Sequence, residues 1–288
     1  MEKAAGEQGV RFSGEPRTRP RHDAADGELD DAGSPIQICL LGPFRILKRG
    51  HLTVLRNGGK AEALLLNLAI SSIRHRNGAS RAELVTALWP DCANELAGQS
   101  LNTLVFAVHR QLGDAVGGAA PILNSAGNYR LNAEAGVGVD VASFDYLARI
   151  GEHLTRSGNL AAAAAYYRRA VALYRGDLCG SADVRAIVER ERLRALHLTL
   201  LARLAEYHYA EGDYDACLRG ALTLLTNDPC REDAHRMVMR CYVRRGERAQ
   251  ALRQYQVCAT HLRAEFDATP EAATTALFDQ VRRDPGSV

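Results

Sequence analysis

The chain has no apolar run approaching the roughly 20 residues needed to span a bilayer, and no hydrophobic stretch near its first residue. It predicts neither a membrane segment nor a signal peptide, and a cytoplasmic protein follows. Seven cysteines (39, 92, 179, 217, 230, 241 and 258) include no C-x-x-C pair and no zinc-like Cys/His spacing. No structural metal is expected, and free thiols in a reducing compartment are. Lysine is scarce: Lys3, Lys48 and Lys60 are the three among 36 cationic residues. With abundant Ala and Gly, this is the composition of a GC-rich bacterial genome. Nucleophile elbows, Walker motifs and Gly-rich phosphate loops are missing, and the nine histidines are scattered. These absences argue against an enzyme; no catalytic residue, cofactor or metal ligand is predicted.

What is present is globular. Apolar residues make up 47% and charged residues 24% of 288, enough for two domains of ordinary size. Net charge is only +2, but it is unevenly spread. Residues 36–133 hold ten Arg/Lys against five Asp/Glu, whereas residues 140–283 hold 21 against 19. The basic excess lies where the chain also reads as a nucleic-acid-binding unit. Residues 1–35 carry Gly, Pro and charge without periodicity and read as a disordered tail. The division expected is 36–138 for DNA binding, 139–283 for a helical-repeat domain, and 284–288 as a tail.

Strand candidates run over Ile36–Leu41, Phe44–Leu47 and Leu52–Leu55, separated by turns at Gly42-Pro43 and Arg49-Gly50. Lys60–Ser72 reads as a helix. A second helix starts at a capping box, Ser80 with Glu83, and cannot simply continue through Pro90. The next helix spans Gln99–Leu112. At about 100° per residue, Leu101, Leu104, Val105, Val108 and Leu112 share one side. Gln99, Asn102, Thr103, Phe106, His109 and Arg110 share the other. Amide, hydroxyl, aromatic, imidazole and guanidinium groups on one face can read base edges in a major groove. The same face also fits an ordinary surface helix with Phe106 packed on a neighbour. The capped helix before it and a hairpin after it (Ile122–Asn124 and Tyr129–Leu131 around Gly127-Asn128) favour a winged helix-turn-helix. Arg81, Asn128 and Arg130 are then the candidates for backbone or wing contacts, and Tyr129 for a core anchor. Metal-binding residues are none.

The second half changes character. Gly158–Tyr174, Asp183–Glu211, Tyr214–Thr226, Arg231–Arg245, Arg248–Glu265 and Glu271–Arg282 all read as helices. Ala210–Leu218 aligns with Arg244–Leu252, and Gly212 and Gly246 stand 34 residues apart, the tetratricopeptide period. The fold expected is therefore mainly α with a small β component. An N-terminal winged helix-turn-helix precedes an all-α, tetratricopeptide-like repeat domain. Such arrays usually present a concave face to a protein.

Many spaced motifs carry a family resemblance. They include Leu88-Trp89-Pro90-Asp91, Ser100-Leu101, His109-Arg110-Gln111-Leu112-Gly113-Asp114 and Tyr129-Arg130-Leu131. In the second half they include Val139-Asp140-Val141 with Phe144, Leu173–Leu178, Glu189–Leu193 and Asp228-Pro229 with Arg231-Glu232. Ala251–Tyr255 and Thr269-Pro270-Glu271 complete them. Over about residues 36–283 the chain resembles the SARP family of bacterial pathway activators, in its short form. The resemblance implies a response-regulator-type winged helix and a bacterial transcriptional activator domain. It implies binding to tandem repeats in double-stranded promoter DNA, tandem protomers or a homodimer there, recruitment of RNA polymerase, and control of secondary-metabolite genes. Val108-His109 stands where the pattern has a leucine-arginine pair, and an aromatic between Leu178 and Glu189 is missing. The competing function is a helical-repeat adaptor whose winged helix binds protein rather than DNA.

Overall fold

The computed structural model describes residues 34–288 apart from 57, 75–77, 91–93 and 181–183. The 1–33 part of the expected tail, Asp91 of the first motif, Cys92 and Asp183 lie outside them. The three expected strands form as β1 (Ile36–Cys39), β2 (Arg45–Lys48) and β3 (His51–Thr53), paired antiparallel in sequence. Helix α1 (Gly58–Arg74) follows, then the short strand β4 (Ala79–Ser80) and helix α2 (Arg81–Leu88). The capping box is present: Ser80 Oγ accepts the Glu83 amide at 3.2 Å, and the Glu83 carboxylate accepts the Ser80 amide at 2.7 Å. Helix α3 (Asn94–Leu112) begins five residues before the expected start.

A wing hairpin of β5 (Ile122–Ser125) and β6 (Asn128–Leu131) pairs with β4, giving the order β4-β6-β5. Its two-residue turn, Ala126-Gly127, has positive φ at both positions, 50° and 81°. That is the twist a tight hairpin needs. Strand β7 (Val137–Val139) then returns to the first sheet and lies parallel to β1, completing the order β3-β2-β1-β7.

Helix α4 (Asp140–Arg156) starts directly after β7. It was not among the expected helices, although Val141, Phe144, Leu147, Ala148 and Gly151 form its buried face. Helices α5 (Leu160–Leu173), α6 (Val184–Ala210), α7 (Tyr214–Asn227), α8 (Glu232–Arg244), α9 (Arg248–Phe266) and α10 (Ala272–Arg283) follow the expected repeat pattern. Gly212 and Gly246 turn the chain at φ of 76° and 78°, the left-handed conformation that glycine adopts at little cost. Gly158, at φ 80°, makes the same turn between α4 and α5. Asn159 and Asp213, each just after its glycine, cap α5 and α7 through their side chains.

The boundary between the two kinds of structure is closely bonded. Asp140 is 1% exposed, and its carboxylate accepts the Leu40 amide at 2.8 Å and the Leu41 amide at 3.0 Å. The segment between α5 and α6 runs antiparallel to the chain after β1, bridging Leu41 with Leu178. Cys179 donates to Leu40 O at 2.8 Å and Gly42 to Asp177 O at 3.1 Å. One apolar core extends from Ile36 and Ile38 through Leu64, Leu101 and Val108 to Phe144, Tyr167, Leu193 and Leu204. Ser34–Val288 accordingly forms one compact unit.

Burial pushes the Asp140 carboxyl up from its ordinary value, against the Leu40, Leu41 and Val141 amides and Arg45, which pull it down. Folding therefore takes up a proton between the unfolded and the raised folded pKa. This group favours the fold most at acid pH and progressively less as pH rises through that window. Asp140→Asn is expected to keep the shape but lose one of two amide acceptors, costing about 1–3 kcal/mol. Denaturant titration across pH checks this. The variant should be less stable at every pH and should lack the wild-type decline between those two pKa values.

Candidate nucleic-acid interface

Helix α3 is held by its apolar side. Leu101, Leu104, Val108 and Leu112 are buried, and Val105 is partly so. Its C-terminal end is tied to the first sheet. Lys48 Nζ donates to Gln111 O at 2.9 Å and meets Asp114 at 2.6 Å. The Arg56 amide donates to Gln111 Oε1 at 2.7 Å. The Lys48 ammonium holds the exposed Asp114 carboxyl below its ordinary pKa.

The opposite face stands in solvent. Gln99, Asn102, Thr103 and Arg110 are exposed, and Phe106 is 65% exposed. Phe106 thus does not pack on a neighbour. An exposed aromatic ring amid amides and a guanidinium can meet a thymine methyl. Thr103 Oγ1 donates back to Gln99 O at 3.2 Å, and its methyl completes the face.

Two members of the face also hold the wing. His109 is half-buried, with Nε2 3.0 Å from Ile122 O and 3.3 Å from the Ile122 amide nitrogen. Its imidazole fastens the start of β5 to α3. The Asn102 side-chain oxygen accepts the Tyr129 hydroxyl at 3.4 Å, and Tyr129 itself is buried as the anchor of β6. Neither contact has a signal in the sequence, because each joins residues 13 or more positions apart through tertiary approach.

The remaining candidates sit at the edges of this face. The Arg81 amide donates to Gly127 O at 2.9 Å, so α2 starts against the wing tip. A Cβ at Gly98 would stand 2.7 Å from the Arg81 guanidinium, so the absent side chain there leaves Arg81 room to lie across the first turns of α3. Asn128 is half-buried opposite Ser80. Arg130 is partly exposed, 3.9 Å from Glu134 in an exposed pair of little energetic weight. Arg81 thus lies beside α3, and α2 and the wing both adjoin that helix, whereas Asn128 and Arg130 alternate along β6 with the buried Tyr129. The donors of this region are arginine, asparagine and glutamine, a set that suits phosphates and base edges. Among the described residues no group of three or more His, Cys, Asp or Glu is placed to hold a metal. Among the same residues no helix is long and apolar enough to cross a membrane.

The bacterial transcriptional activator domain family matches residues 139–282. The regulatory protein AfsR of Streptomyces coelicolor is 26% identical over 277 residues, covering 95% of this chain but 27% of AfsR. The chain thus spans about a quarter of that relative. The regulatory protein DnrI of Streptomyces peucetius is 28% identical over 212 residues, covering 70% of this chain and 78% of DnrI. The fold matches Mycobacterium tuberculosis EmbR, solved with a low-affinity phosphopeptide, at a TM-score of 0.64 and 22% identity. That match covers 87% of this chain and 65% of the EmbR chain.

Removing the imidazole frees one end of the wing while leaving the buried face of α3 intact. His109→Ala is expected to cost about 1–2 kcal/mol and to speed amide exchange in Ile122–Leu131 selectively. Hydrogen exchange by mass spectrometry reads this directly. Exchange that rises equally in α1 would show a general loss of stability rather than a released wing.

Proposed function

Because the chain belongs to the bacterial transcriptional activator domain family, in the SARP-type arrangement, we propose that it is a cytoplasmic, sequence-specific DNA-binding activator of transcription. The observation that carries the reading is the solvent-facing side of α3, where an exposed Phe106 stands among Gln99, Asn102, Thr103 and Arg110. In this reading residues 36–138 bind duplex promoter DNA and residues 139–283 pass the signal on. Gln99, Asn102, Thr103, Phe106 and Arg110 meet base edges. His109 contributes at the groove wall and by holding the wing. Arg81, Asn128 and Arg130 meet the phosphate backbone. The protein works on direct repeats as tandem protomers and recruits RNA polymerase, at genes for a secondary-metabolite or similar cluster.

Recruitment is supported by an apolar stripe on α6 that is exposed among the described residues. Val184, Ile187 and Val188, at i, i+3 and i+4, are 76%, 45% and 64% exposed. The same helix continues through Glu191, Arg194 and Leu198 into a cleft of about 440 Å³ closed by His261 and Phe266. Apolar side chains left in water on a long helix mark a protein-binding surface.

Gel-shift titration over a salt series tests DNA binding. Counterion release makes the affinity fall steeply with salt if phosphates are contacted. Asn102→Ala should lose about 1–3 kcal/mol on the preferred site and relax preference at one base pair. Arg130→Ala should weaken all sequences alike and reduce the salt slope by about one. Salt-independent binding, or an Asn102→Ala variant with the parent's preferences, contradicts the groove assignment.

Tandem binding has its own test. Protomers on direct repeats about one helical turn apart face the same side of the duplex. Inserting half a turn between the repeats should abolish cooperative binding, and a full turn should restore part of it. Footprint titration reads both, and cooperativity unchanged by the half turn would establish independent monomers.

A further inference from the structure

Cys217 on α7 and Cys241 on α8 face each other across two consecutive, packed helices. Both side chains are completely buried, and with Ala205 of α6 they form a small core of their own. The two side chains pack within this one cluster, on neighbouring helices. Two thiols held together by separate helices differ from an isolated buried cysteine, because each has the other as its reaction partner. We propose that Cys217 and Cys241 are a redox-active dithiol that a hydroperoxide closes to an intramolecular disulfide, bracing α7 against α8.

The pair is polarised. The neighbouring Cys217 thiol and the Arg245 charge hold the Cys241 pKa below its ordinary value, against the burial that raises it. Cys39, Cys179, Cys230 and Cys258 are all pushed up, first by burial. Of the facing pair, Cys241 is the one whose thiolate the Arg245 charge favours. Its sulfur attacks one oxygen of the peroxide. The O–O bond breaks, and hydroxide leaves to give a sulfenic acid. The Cys217 sulfur then attacks the Cys241 sulfur. The S–O bond breaks, and the departing oxygen leaves as water with the Cys217 proton. In total, two thiols and one hydrogen peroxide give one disulfide and two waters, with two electrons passing from sulfur to oxygen. Peroxide is small and uncharged, so local opening of the α7–α8 pair admits it.

The test uses the full chain, fully reduced and then treated with hydrogen peroxide at neutral pH. Unreacted thiols are alkylated before non-reducing peptide mapping. The expected product is monomeric, lighter by two hydrogens, and carries a cross-link between the Cys217 and Cys241 peptides that dithiothreitol reverses. Tm should rise by about 5–10 °C, because the bond restricts the unfolded chain. Cys217→Ala should abolish the cross-link and leave Cys241 as sulfenic or sulfinic acid, trapped by dimedone in its first form. If that variant fails to fold, the wild-type map alone decides. Alkylated Cys217 and Cys241 beside oxidised Cys230, or a cross-link that appears only in denaturant, would overturn the proposal.

Discussion

Two backbone amides, those of Leu40 and Leu41, end on one buried carboxylate, and the joining of the two halves depends on it. Past Cys39 the chain leaves its sheet, and these donors would otherwise be buried without partners. Asp140 can accept both because an ionised carboxyl has two equivalent oxygens. Its place in the first turn of α4 adds the favourable field of a helix N-terminus. The desolvation of that charge is visible in its raised pKa. The antiparallel stretch around Leu178 closes over the same segment, and Gly42 and Gly176 meet there with φ of 104° and 153°. A Cβ on Gly42 would stand 3.1 Å from the Arg175 carbonyl, so a close approach as well as the backbone angle calls for glycine.

The consequence is mechanical. Strand pairing between β1 and β7, the Asp140 bonds and the shared core leave no free linker between the winged part and the helical repeats. Within the first part, α3 is fixed by its buried apolar side and at its end by Lys48 and the Arg56 amide. The wing is then set against α3 through His109 and the Asn102–Tyr129 contact. Helix α3 and the wing are thus fixed relative to each other without a ligand, which would limit the ordering cost of the DNA binding proposed above.

Much of this was legible in the sequence, for identifiable reasons. The helix periods, the Ser80/Glu83 capping box and the 34-residue recurrence of Gly212 and Gly246 are local signals, and the structure has each of them. The division of α3 into a buried and an exposed side was also legible, since it rests on helix geometry alone. What escaped were relations between distant positions. Asp140 reads as an ordinary acidic residue until β7 brings it beneath Leu40. His109 reads as one more polar group on an exposed face until Ile122 comes within 3.3 Å. Strand β7 is three residues long, too short for periodicity to register. Helix α4 carries a readable pattern, Val141-Phe144-Leu147-Ala148, but lies before the first of the repeat glycines that mark the helix pairs.

The rigid junction and the weak charge surplus belong together. Ten Arg/Lys against five Asp/Glu over residues 36–133 is a small electrostatic footprint for a DNA-binding unit. Two of those cations, Lys48 and Arg49, are moreover engaged with Asp114. Under the tandem binding proposed above, a single copy so equipped gains limited affinity from phosphates and gains more from a second copy bound alongside. That advantage depends on the orientation of whatever the copies share. A floppy tether would spread the repeats of each protomer over many positions and lower the effective concentration of one for the next. Held by Asp140 and β7, the repeats of a bound protomer project in one direction. On the proposed reading, the geometry of the DNA site then decides where α6 and its exposed apolar side chains are presented.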